Sequence, residues 1–224
     1  MNPIISLLAA ALLSTGLITT NGTHATGNFN IQDLIKHLSE KAPKLNKKVL
    51  ALALKAYNKA FIKGEVKNHK LTVIDYSLPS SKQRMWVFDL DRERLLFNTH
   101  VAHGANSGLD VPHYFSNSNS SHATSLGTFV TRDIYSGHNG LSLNLKGLER
   151  GINDHALERR VVMHGAWYVD PSFIKKVGRA GRSWGCPAIA ASLAKPIINT
   201  IKNGSVIFAF YPDKNFLRSS NFLG

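Results

Sequence analysis

The chain of 224 residues holds one cysteine, Cys186. Upstream, His164 follows the apolar run Val161-Val162-Met163. A thiol is a poor nucleophile and its thiolate a good one, so the chemistry needs a neighbouring base or positive charge. His164 can be that base. Lys175, Arg179 and Arg182 lie between the two residues and could favour the thiolate. The run Arg182-Ser183-Trp184-Gly185-Cys186-Pro187 leads into an expected helix, with Pro187 at its first position, where a missing N–H costs nothing. Such an entry would aim the N–H groups of Gly185 and Cys186 at a substrate oxyanion. The helix dipole would also lower the thiol pKa. Gly165 follows His164, and its carbonyl can fix the imidazole tautomer without an Asp or Asn. Pattern alone leaves both residues open to another reading, Cys186 as a small buried hydrophobe and His164 as a core histidine.

The elements that must position this pair come mainly as short strands. LTVIDYSL from Leu71 and MWVFDL from Met85 read as strands around a turn at Pro79–Gln83, and LLFNTHVAHG continues the meander. A polar stretch from Gly104 to Ser125 follows. Its Tyr114 and Phe115 favour an ordered loop over a linker. Leu126–Ile134, LSLNLKG and Arg160–Met163, ending at His164, are further strands. A helix is expected after Cys186, running to Ile201 with Pro196 inside it, then a last strand, SVIFAFY. Before all of these, residues 30–63 show helical apolar spacing broken by Pro43 and stopped by Gly64. The expected fold is mainly β (α+β), a β-sandwich or barrel with N-terminal helices and one late helix. The expected divisions are an export signal over residues 1–25, a helical segment over 26–66, the catalytic domain over 67–212 and a polar, mobile tail over 213–224.

Composition narrows the partners. The formal charge is +13, spread along the chain without a basic block. It favours anionic surroundings such as an acidic envelope or a carboxylate-rich polymer. No zinc-finger spacing, aromatic RNA-binding motif or basic helix is present, so nucleic acid is not expected. One cysteine excludes an intrachain disulfide. The apolar run Ile4–Ile18 is too short to span a membrane comfortably and reads as the core of a signal with Thr23-His24-Ala25 as a cleavage site. Export to the periplasm or cell envelope is therefore expected, with no stable membrane span once the signal is removed. No cofactor is expected. His100, His103, His113, His122, His138 and His155 raise the alternative of a zinc hydrolase, but no His-Glu-x-x-His motif exists and His100 and His103 are spaced to face opposite sides of a strand.

The residues His164-Gly165 and Gly181-Arg182-Ser183-Trp184-Gly185-Cys186-Pro187-Ala188 resemble the murein L,D-transpeptidase catalytic domain family, the YkuD-like enzymes. Val101-Ala102-His103-Gly104, Ser107-Gly108, Phe115-Ser116-Asn117 and Ser125-Leu126-Gly127 extend the resemblance over residues 70–212. Two positions depart from the broader pattern: Trp184 stands where the family has His, and Ala188 where it has Arg. Arg182 or Arg179 could supply that charge. The resemblance implies that Cys186 attacks a murein tetrapeptide stem, with His164 as proton carrier, through a thioester. It implies peptidoglycan stem peptides as partners and carbapenem β-lactams as covalent inhibitors. Arg182, Ser183, Trp184, His103 and Tyr135 are the expected substrate-binding residues. Trp167 and Tyr168, after the histidine, are candidates for a lid or a loop anchor.

Overall fold

The computed structural model describes residues 31–224, so the expected signal over residues 1–25 lies outside the described residues. α1 (Ile31–Lys41) ends just before Pro43, and α2 (Lys47–Ile62) begins where Asn46 accepts the Lys48 N–H at 2.8 Å. Leu34 and Leu38 of α1 and Val49, Leu50, Ala53 and Tyr57 of α2 enter the same core as the strands. The helical segment therefore shares its interior with the rest of the molecule.

Eight strands form one sheet: β1 (Lys70–Asp75), β2 (Met85–Asp89), β3 (Arg94–Thr99), β4 (Gly127–Gly137), β5 (Gly140–Gly147), β6 (Val162–Ala166), β7 (Ala188–Ala190) and β8 (Val206–Phe210). Their order is β3-β2-β1-β8-β4-β5-β6-β7. β8 lies between β1, to which it is parallel, and β4, to which it is antiparallel. Every residue of β2 and β8 is buried, because these strands are covered on both faces. α2 packs on β1 and β8. α4 (Ala191–Ile201) packs on β1, β5, β6 and β7.

The sheet curls into a nearly closed barrel. Past β3 the chain runs on beside β7 and the loop before it. The Ala102 N–H donates to the Ala188 carbonyl at 2.8 Å, Ser183 N–H to His103 O at 2.9 Å, and Ala105 N–H to Ser183 O at 2.7 Å. The two ends of the sheet meet along this seam.

Four expectations need correction. The segment after Cys186 is a strand before it is a helix: Ala188, Ile189 and Ala190 pair in parallel with His164, Gly165 and Ala166, and α4 starts only at Ala191. Long-range pairing overrides the apolar periodicity there. His164 consequently sits within β6 and not at its end. Three helices rather than one follow the first strands, α3 (Pro171–Val177), α4 and α5 (Lys214–Ser219). The tail expected to be mobile contains α5, capped by Asp213 on the Phe216 N–H at 2.7 Å, and buries Phe216, Phe222 and Leu223. Ser220 Oγ anchors it by donating to the buried Glu149 carboxylate.

Candidate active site

Pairing of β6 with β7 builds the site. His164 is in register with Ala188, and the loop just before β7 carries Cys186 back alongside the start of β6. Cys186 Sγ accepts the Val162 N–H at 3.5 Å and faces Arg160 O at 3.8 Å. The thiol is half-buried. No hydrogen bond within 4.0 Å joins Sγ to a His164 ring nitrogen, and such pairs commonly tighten only when substrate is bound.

His164 is buried, and its Nδ1 lies 2.9 Å from Gly165 O. A carbonyl can only accept, so Nδ1 carries the hydrogen and Nε2 keeps its lone pair. Burial pushes the imidazole below its ordinary pKa, keeping it a neutral base. Gly165 has a second role. A Cβ there would lie 2.9 Å from Ala194 Cβ and 3.2 Å from Ala191 Cα, so only glycine lets α4 pack this close to the strand.

The electrostatics of Cys186 differ from the sequence expectation. The helix dipole falls off within the first turn, and α4 begins beyond β7, so it does not act on the thiol. Burial raises the thiol pKa, while the Val162 N–H and the Arg159 guanidinium lower it. Arg159 is the cation that reaches the thiol. Its guanidinium donates to Ser116 O, Ser125 Oγ, Ser121 Oγ and Ala123 O, at 2.8, 2.5, 3.0 and 2.8 Å. It thus holds the long loop while its charge acts on the Cys186 thiol. Sequence reasoning missed it because Glu158-Arg159-Arg160 reads as an ordinary charged turn.

The basic residues singled out from sequence do other work. Arg182 is exposed and donates to Ala105 O at 3.0 Å and Gly108 O at 3.3 Å, bracing the seam loop. Arg179 bonds the carbonyl of its neighbour Ala180, and Lys175 is exposed on α3. Neither Arg179 nor Arg182 replaces the family arginine beside Cys186.

Ser183 is buried. Its Oγ donates to Cys186 O at 2.6 Å and accepts the Gly185 N–H at 3.1 Å, so its hydroxyl shapes the turn. The oxyanion hole expected from Gly185 and Cys186 is thereby reduced: the Gly185 N–H is engaged, while the Cys186 N–H has no acceptor among the described residues. Gly185 takes φ +115°, and a Cβ there would lie 2.8 Å from Ala123 O, so the loop held by Arg159 requires glycine here.

His103 does not border an open groove. It is fully buried, takes a hydrogen bond from Arg84 on Nδ1 at 2.7 Å and donates from Nε2 to Gly108 O at 3.3 Å. Arg84 is itself fully buried and also donates to Val101 O and Leu78 O. Its guanidinium lies 5.0 Å from the centre of the Tyr76 ring. This group lies under the seam, and neither Arg84 nor Tyr76 was predicted.

Tyr135 pairs with Ser142, which pairs with His164. It therefore stands in the row of the base, about 10 Å away across two strand spacings, with an exposed ring. Trp184 is exposed and stacks on His122, with centroids 4.6 Å apart and an interplanar angle of 8°. Trp167 is exposed against Tyr168 and Phe173, while Tyr168 packs over Gly181, where a Cβ would lie 2.6 Å from it. Among the described residues no three His, Cys, Asp or Glu side chains are grouped to hold a metal ion, and no helix is long and apolar enough to cross a membrane.

Comparison with solved structures finds an L,D-transpeptidase from Mycobacterium smegmatis at 14% identity and TM-score 0.40, covering 64% of this chain and 59% of that one. An L,D-transpeptidase from Stackebrandtia nassauensis follows at 16% identity and TM-score 0.39, covering 80% and 77%. Another, LdtMt1, was solved in complex with imipenem and shares 14% identity at TM-score 0.39, covering 64% and 59%. This chain thus spans under two thirds of the length of the Mycobacterium smegmatis protein. No curated protein matches. A family model of the L,D-transpeptidase catalytic domain matches residues 41–210, most of the chain. On that match the chain belongs to the L,D-transpeptidase catalytic domain family.

Proposed function

We propose that the protein is an exported cysteine L,D-transpeptidase acting on peptidoglycan tetrapeptide stems in the periplasm or cell envelope of a bacterium. The observation that carries this reading is the orientation of His164. Its Nδ1–H is committed to Gly165 O, which leaves the Nε2 lone pair available, and the pairing of β6 with β7 brings the Cys186 thiol against the backbone of β6 at the Val162 N–H. Family membership supplies the reaction class.

In this mechanism the Cys186 thiol gives its proton to His164 Nε2 and the thiolate attacks the carbonyl carbon of the third stem residue. The Cys186 N–H steadies the oxyanion. The C–N bond to the terminal D-Ala breaks, and the departing amine takes the proton from His164. A thioester remains on Cys186. The side-chain amine of a second stem attacks it, His164 accepts the amine proton, and the thiolate leaves as the new amide forms. The product is a 3→3 cross-link. Arg159 stabilises the thiolate as starting and leaving group. With water as acceptor the same steps give an L,D-carboxypeptidase.

The test is incubation of the purified protein with a disaccharide-tetrapeptide, followed by mass spectrometry. Loss of D-Ala with a cross-linked dimer is expected. Loss of D-Ala without dimer would assign carboxypeptidase activity. Identical product profiles for wild type and Cys186→Ala would overturn the enzyme reading and leave a non-catalytic wall-binding module. A carbapenem is expected to add covalently to Cys186.

A further inference from the structure

Beside Cys186, on the side of Arg159 and Arg160, a groove of about 360 Å3 runs between the long loop and the turn before β6. It is lined by Asn119, Ser120, His122, Glu158, Arg160 and Trp184 over the Arg159 guanidinium. No hydrogen bond of the thiol or the imidazole involves these side chains.

Two observations single out this groove. First, Trp184 is 76% exposed, the most exposed large apolar side chain among the described residues, yet it is held flat by His122 under one face. An indole left in water but fixed in orientation is a surface prepared for a ligand with a flat apolar face. Second, five described non-glycine residues have positive φ, and three line the groove: Ser120 at +56°, His122 at +50° and Arg160 at +53°. Such conformations are costly, and their clustering marks a functional surface. The rim adds directional polar groups. Glu158 accepts from the Asn119 side-chain amide, and the Arg160 guanidinium has no partner among the described residues.

A flat aromatic face ringed by carboxylate, amide and guanidinium groups is the chemistry that recognises a pyranose. The axial C–H bonds lie on the indole, and the equatorial hydroxyl and acetamido groups bond to the rim. A stem of short aliphatic and charged residues offers no comparable flat face. We infer that the Trp184–His122 groove binds a sugar ring, an N-acetylated amino sugar of the glycan to which the stem is attached. The identity of the sugar rests on the proposed murein substrate.

The test uses the full chain and tri-N-acetylchitotriose, read by tryptophan fluorescence, so it does not depend on activity. Trp86 is buried and Trp167 packs on Tyr168 and Phe173 outside the groove lining, which makes Trp184 the expected reporter. A saturable change is expected. Trp184→Leu should weaken binding at least about fivefold, while Trp167→Leu should retain it. His122→Ala should weaken it about two- to threefold, and its ring resonances should shift on titration of wild type. Circular dichroism confirms folding of each variant. The inference is overturned if no saturable signal or His122 shift appears, if Trp184→Leu binds as wild type does, or if a sugar-free tetrapeptide saturates the groove with equal affinity. Sugar binding without release of D-Ala would sustain this site and defeat the proposed reaction. Release of D-Ala without sugar binding would do the reverse.

Discussion

The chain contains two His-Gly pairs, one on the seam and one in β6 across β7 from it, and they are wired in opposite senses. At His164-Gly165, Nδ1 donates to the adjacent carbonyl and Nε2 keeps its lone pair. At His103-Gly104, Nδ1 can only accept, because its partner is the Arg84 guanidinium, and Nε2 donates to Gly108 O. One imidazole keeps a nitrogen free to accept a proton, and the other is a bracket whose two nitrogens are both consumed. The difference teaches that histidine chemistry here is decided by what faces Nδ1. A carbonyl makes a base available, whereas a buried cation removes one.

The strongest way to break the comparison is to exchange the effects of mutation. His164→Ala should lower the rate of D-Ala release by about a thousandfold with little change in stability, because general acid–base catalysis contributes on that scale. Steady-state turnover and urea unfolding of the same sample check both halves. Arg84→Met should act on stability, by about 3–5 kcal/mol, since it leaves the buried Val101 and Leu78 carbonyls and His103 Nδ1 without their donor. Chemical denaturation measures it.

A sharper distinction comes from pH. Burial and then the neighbouring Arg84 push His103 down to about 3. The unfolded histidine, at about 6.5, therefore binds more protons than the folded one between those values. Stability should fall as pH drops from 6.5 toward 3, by about 1 kcal/mol per unit. His103→Asn cannot titrate, so it should be less stable at neutral pH but lack this component of the acid slope. Thermal unfolding of both proteins across the window tests it. The smallest effect concerns the thiol: Arg159→Gln should raise the Cys186 pKa and slow alkylation by iodoacetamide about tenfold at neutral pH, as expected if one pKa unit is lost.

The parts of the site legible in sequence were those whose chemistry is intrinsic. A lone thiol, an upstream histidine and the glycine after it suggested a nucleophile, a base and an orienting carbonyl, and the structure shows the carbonyl in place. The strands from Leu71 to Gly147 were legible because their apolar runs are bounded by turn residues. β7 was not, since Ala188-Ile189-Ala190 is short and continuous with an apolar helix, and only its pairing with His164-Gly165-Ala166 makes it a strand. Arg84 and Arg159 were illegible for a different reason. Each sits in a polar turn and is drawn inward by carbonyls distant in sequence, such as Val101 O and Ala123 O. Burial of a cation is a property of its partners.

The seam between β7 and the chain beyond β3 gives the molecule a built-in clock. The amide hydrogens of Ala102 and Ser183 are protected by Ala188 O and His103 O, two bonds that pin the chain on either side of Cys186 in sequence. Their exchange with solvent deuterium therefore reports how often the barrel opens around Cys186. Following those two amides with and without the tetrapeptide substrate of the proposed reaction would time the breathing of the site against that chemistry, without any added label.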